Sequence, residues 1–174
     1  QLLRLKSQAA DDLGATTYHR WLRDQLERHV GYDSLARDVL TAQGDTHEIG
    51  PANFYRTVGG PREQAELTSE VFMGQRLRCA NCHNHPLDRW TQDDYHGMAA
   101  IFATVRSGRN VSLDDRGFVV HPKTGENAVP RIPGERFLDA DDRPNADLRE
   151  DFATWLTDGD NPYFAKAIVN RLWQ

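Results

Sequence analysis

Apolar positions recur at helical spacing over much of the chain. From Thr17 to Val30, Tyr18, Trp21, Leu22 and Leu26 share one face of a 3.6-residue repeat, which predicts an amphipathic helix. Asp33 to Gln43 predicts a short helix through Leu35, Val39 and Leu40, closed by Gly44. Asp45 to Gly60, rich in Gly, Asn and Pro, reads as a loop. Pro61 suits the first position of a helix that carries Ala65, Leu67, Val71 and Phe72 toward the cysteines. Thr91-Gln92-Asp93-Asp94 has the form of a capping box with Asp in place of Glu. It opens a helix with Tyr95, Met98, Ala99, Phe102 and Val105 on one stripe. Ser107 to Arg143 has no helical period, and a hairpin is predicted there: Phe118-Val119-Val120, a turn at Lys123-Thr124-Gly125, then Ala128-Val129. Helical spacing returns with Leu148, Phe152, Trp155 and Leu156. It returns again after Asn161-Pro162 with Phe164, Ala167, Ile168 and Leu172. Gly134 to Asn145 is the best linker candidate.

The chain has 174 residues, room for one domain with a substantial core. Its 21 basic and 26 acidic side chains leave a net charge of −5, a poor match to a nucleic-acid-binding surface. No apolar run reaches the roughly 18 residues that a membrane span needs. The chain begins without Met and stops inside a helical pattern, so it reads as a piece of a longer protein.

The chemistry concentrates in one place. Both cysteines fall in Cys79-Ala80-Asn81-Cys82-His83, the Cys-x-x-Cys-His spacing of c-type haem attachment. Two thiols at that spacing add across the haem vinyl groups, and the next residue, His83, comes under the iron as proximal ligand. Other readings use the same residues. Zinc could take Cys79, Cys82 and two of His83, His85 and His96. The thiols could also form a catalytic dithiol or a plain disulfide.

The longer run Phe72 to Tyr95, with Cys79-Ala80-Asn81-Cys82-His83-Asn84-His85-Pro86-Leu87-Asp88-Arg89-Trp90 at its centre, resembles the cytochrome c-like domain of large secreted planctomycete-type proteins. Pro51-Ala52-Asn53-Phe54-Tyr55-Arg56 and His121-Pro122-Lys123-Thr124-Gly125 match further blocks of that pattern. Asp160 to Trp173 resembles the opening of the domain that commonly comes after it. The resemblance implies a mainly α, cytochrome c-like helical domain wrapped around one covalent haem c, with a small β-hairpin. It implies residues 1–143 as that domain, with 1–15 the end of a preceding segment, and 144–174 as the start of a following helical domain. It further implies an extracytoplasmic (periplasmic or secreted) place within a multidomain chain that meets a redox partner protein.

The sequence therefore points to a single-electron carrier. A haem enzyme with an open sixth position is the first alternative, and a zinc-bound or disulfide-stabilised module the second. The haem is expected at the centre, between the helix ending at Leu77 and the one starting at Gln92. His121, thirty-eight positions after His83, is the expected distal ligand, and Met98 is its rival. His85 reads as a supporting residue, and Pro86 as offering a carbonyl to the His83 ring. Trp90, Tyr95 and Phe102 read as core or haem wall, and Met73 as core filler. His19, His29 and His96 read as solvated, His47 as an ordinary loop residue, and Asp139 to Asp142 as a solvated acidic loop.

Overall fold

The computed structural model describes residues 12–138, 143 and 146–173. The fold is mainly α, with a small three-stranded antiparallel sheet. Among the described residues, six α-helices occur in order: α1 Asp12–Glu27, α2 Tyr32–Thr41, α3 Pro61–Thr68, α4 Gln92–Ile101, α5 Leu148–Leu156 and α6 Phe164–Trp173. Between α2 and α3 the segment expected as loop contains a 3-10 helix, Gly50–Thr57, against which α1 packs. The helix-packing face of α1 runs through Gly14, Thr17, Tyr18 and Gln25. Leu26, one residue and so about 100° further round, is turned to solvent and not into the predicted face.

Pro61 does open α3, and the Glu63 carboxylate accepts the Gly60 N–H at 3.1 Å. The helix then widens into a π-turn, Ser69–Met73, and stops at Gly74, whose φ of 65° is left-handed. A second 3-10 helix, Leu77–Asn81, carries the chain into the cysteine motif. The capping box of α4 is formed. Thr91 Oγ1 accepts the Asp94 N–H at 3.2 Å, and Asp94 Oδ2 accepts the Thr91 N–H at 2.8 Å. Asp94 is buried; its other oxygen accepts the Gly134 N–H at 2.7 Å and lies 2.9 Å from Arg131.

The sheet has the order β1–β3–β2, with β1 Gly44–Asp45, β2 Val105–Arg106 and β3 Asn110–Leu113. Gly44 pairs with Val111 and Val105 with Leu113. The expected hairpin is present only as a tight turn. Val120 bridges Asn127, the Ala128 N–H bonds to the Val119 carbonyl at 2.7 Å, and Gly125 supplies the φ of 74°.

The core is a continuous aromatic chain. Phe72, Phe54, Tyr55, Phe102 and Phe152 meet in sequence at ring separations of 5.6 to 6.5 Å. α5, beyond the boundary expected at residue 143, joins it through Phe152, Ala153 and Leu156 and packs on α2. α3 and α4 pack directly together, tied by the Tyr95 hydroxyl donating to Glu66 at 2.7 Å. The centre expected to hold a haem is thus built from the protein's own side chains, Leu77, Tyr95, Met98 and Phe102 among them. The mainly α part of the expected fold is present. Large apolar residues on a stripe do not reveal whether they surround a ligand or one another.

One buried cation organises the far side of the core. Arg149, fully buried, pairs with Asp147 at 2.7 Å and donates to the carbonyls of Ala42 and Thr41 at 3.2 and 3.3 Å. The Tyr55 hydroxyl donates to the Leu40 carbonyl, and the Arg149 guanidinium lies over its ring. The otherwise unpaired carbonyls at the C-terminus of α2 thereby meet a hydroxyl and a positive charge. Burial pushes the Tyr55 hydroxyl up to about 12, so it remains a donor at any ordinary pH.

Candidate functional site

Cys79 and Cys82 sit at the second 3-10 helix and its C-cap, both as free thiols and both exposed. Ala80, between them, is buried and seats the turn on the core. His83 is exposed. Its Nδ1 lies 2.8 Å from the Asn84 carbonyl, which places the proton on Nδ1 and leaves Nε2 with a free lone pair on the outside. The carbonyl that orients His83 is therefore that of Asn84, not the one expected from Pro86.

The loop after His83 closes on itself. The His85 N–H donates to the Trp90 carbonyl at 2.8 Å, and His85 Nδ1 accepts the Leu87 N–H at 3.2 Å, a supporting place as expected. Leu87 is 92% exposed beside it. Trp90 is buried, donates to Gln75 at 3.3 Å and meets the Tyr163 ring at 5.6 Å. Trp90, Tyr95, Phe102, Met73 and Met98 are all core.

Two histidines stand on the inner side of the motif, and the sequence pattern assigns chemistry to only one of them, His121. His96 is 0% exposed, not solvated. Every residue of α4 from Asp94 to Ile101 is buried, so this helix has no wet face for it. Its Nε2–H donates to the Asn81 carbonyl at 3.0 Å, and its Nδ1 is buried without a hydrogen-bond partner. Burial holds its pKa below the ordinary histidine value, so the ring is neutral at pH 7. The signal was the small residues around it. A Cβ on Gly97 would lie 2.5 Å from that of Arg131, so another segment crosses the helix there.

His121, 5% exposed, meets His96 edge to face at 4.9 Å between ring centres. Its Nδ1 accepts the Lys123 N–H at 3.2 Å. Its Nε2 is 3.1 Å from Asp93, an ion-pair distance without hydrogen-bond alignment. The structure thus brings His121 to His96 and Asp93, with both ring nitrogens facing protein groups. His19 and His29 are exposed, and Asp139 to Asp142 lie outside the described residues.

Among the described residues, no three His, Cys, Asp or Glu side chains converge as a metal-binding set. Of the histidines in the zinc reading, His96 turns Nε2 to a carbonyl and keeps Nδ1 buried. The donor set suits covalent haem: two accessible thiols on one turn, then a histidine whose outer nitrogen is unengaged.

The model of the PSCyt2 family, described as a protein of unknown function (DUF1549), matches residues 4–107. That span includes the cysteine motif, His96 and α4. It excludes His121 and the Asp160–Trp173 block. No curated protein and no solved structure matches the chain.

Proposed function

The chain belongs to the PSCyt2 family, and from that premise we propose that it carries one c-type haem on Cys79 and Cys82, with His83 as proximal ligand, and transfers single electrons. The family name, that of a planctomycete cytochrome-like domain, agrees with this reading. The observation that carries it is the His83 ring. A neighbouring carbonyl fixes its tautomer, and its free nitrogen is on the same exposed turn as both free thiols.

Each residue has a separate task. Cys79 and Cys82 would hold the group through their two thiols. His83 would offer it the free ring nitrogen, which the Asn84 carbonyl orients and makes more basic. Ala80, buried in the 3-10 helix that packs on α4, keeps the turn seated. The bound group supplies a one-electron iron couple. All three anchoring residues are on the outer surface, where a redox partner protein has access to them. Attachment of this kind takes place outside the bacterial cytoplasm, so the proposal includes an extracytoplasmic location. No described helix is long and apolar enough to cross a membrane.

The test is production of the chain in cells that attach haem c outside the cytoplasm. Intact mass and haem staining after denaturing electrophoresis should both show one covalent haem. It should be lost in the Cys79→Ala, Cys82→Ala double variant. A wild-type mass equal to the bare polypeptide would overturn the proposal, and a mass two protons lower would identify a disulfide instead.

A further inference from the structure

Asn81 is the last residue of a five-residue 3-10 helix, and its carbonyl points out of the turn that spaces the two thiols. Such an end has no donor of its own, and short 3-10 turns are weakly held. Here two side chains of α4, four residues apart on one face, converge on that carbonyl. His96 donates from Nε2 at 3.0 Å and Gln92 from its amide at 3.2 Å. The Gln92 backbone N–H also donates to Asn84 Oδ1 at 3.2 Å, so the two sides of the motif hang from one helix start. His96 has little freedom to do otherwise. It is fully buried, and His121 stands edge-on behind it, itself held by the Lys123 N–H and Asp93.

We propose that His96 is the positioning residue of the cysteine turn: through the Asn81 carbonyl it holds the two thiols at a separation that one two-point reagent bridges. Gln92 is the second donor and His121 the backstop. The inference rests on reading Cys79 and Cys82 as a joint attachment site, and it explains why a buried histidine is spent on a surface turn. A hydrogen bond of this kind elsewhere would add stability alone; here it acts on the residue between the thiols. It also gives His121 a task behind the motif.

The test uses the 174-residue chain with free thiols and phenylarsine oxide as the probe. The arsenic bonds both sulfurs, and its oxygen leaves as water with the two thiol protons. His96→Ala should weaken this bridged adduct about fivefold to tenfold, the worth of one net hydrogen bond. Alkylation of single thiols by iodoacetamide should change by less than about twofold, since exposure is unaltered. His96→Gln, which keeps an N–H donor at similar reach, should restore bridging, and His121→Ala should lower it in the same direction by less. If His96→Ala does not fold, Gln92→Ala removes the other donor and should also weaken bridging. Bridging at the wild-type level in a folded Ala variant overturns the proposal. So does a Gln variant that recovers thermal stability but not bridging. Haem staining of the wild type is read separately. Absence of haem with the arsenical pattern intact sinks only the attachment reading, whereas haem on a wild type whose Ala variant bridges normally sinks only the clasp.

Discussion

Two of the buried polar knots among the described residues are built to opposite rules. Around Arg149, an ion pair, two carbonyls and a tyrosine ring engage one cation, and the Tyr55 hydroxyl takes a further carbonyl of the α2 end, that of Leu40. Around His96, one nitrogen serves a surface turn while the other has no hydrogen-bond partner, and the neighbouring His121 faces a carboxylate that is 61% exposed. The first knot closes a helix end inside the core. The second joins the core to the turn that carries both thiols. Of these two, the closely paired knot has a structural task and the incompletely paired one borders the site; other buried atoms without a hydrogen-bond partner, the Tyr18 and Tyr32 hydroxyls among them, lie elsewhere.

The largest test of that contrast is Arg149→Met. It strands the Asp147 carboxylate and two carbonyls, and should cost about 3–5 kcal/mol of unfolding free energy in denaturant titration. In the native state, however, arsenical bridging at Cys79 and Cys82 should be unchanged. An effect on both would join the two knots into one unit.

Next is the capping box. Thr91→Ala removes the side-chain acceptor at the start of α4 and should cost about 1 kcal/mol, read from the denaturation midpoint. Since α4 carries the clasp, this variant should also weaken bridging.

The pH dependence of the second knot derives from the lowered His96 pKa. The unfolded chain takes up a proton at His96 near pH 6.5, while the folded chain resists until lower pH. Its contribution is therefore fully present above about pH 7. It is lost as pH falls from about 6.5 through the lowered folded value, by about 1.4 kcal/mol for each unit of depression. His96→Gln should remove this part of the curve. Identical slopes in variant and wild type between pH 7 and 5 would show that His96 is not the group responsible. The smallest effect is expected at the cysteines themselves. In the haem-free chain, Cys79→Ala with Cys82→Ala should shift stability by no more than about 0.5 kcal/mol, because both thiols are exposed.

Helices with a polar face are legible in the sequence, and so is the Thr91 cap, because amphipathic period and capping chemistry are local. The sheet is not. Its strands are two to four residues long and carry no alternation to read, and Gly44–Asp45 has the composition of a helix stop and a loop start. The site divides in the same way. Cys79, Cys82 and His83 announce themselves by spacing. His96 is a polar residue on a helix, and only the crossing of Arg131 and His121 over Gly97 and His96 decides that it is dry. His121 stands out beside Pro122, but the groups it faces depend on α4, which lies 20 or more positions earlier in the chain.

The π-turn between α3 and the cysteine motif makes residue count itself a constraint. Ser69–Met73 holds one residue more than an α-helical turn would, and Gly74 then reverses the chain against Ala167 of α6. An α-helical turn uses one residue fewer, so deleting one residue there would let α3 close regularly with Gly74 still at the corner, whereas deleting a second would rotate the downstream chain by about 100°. Phe72 and Met73 would leave the core, and the left-handed corner would fall on Gln75, where no glycine waits. Point changes in this stretch alter packing by degrees, whereas a two-residue deletion exceeds the one residue that the π-turn can release and would misphase everything downstream, the cysteine turn first. Length here is a form of information that no composition or motif search records.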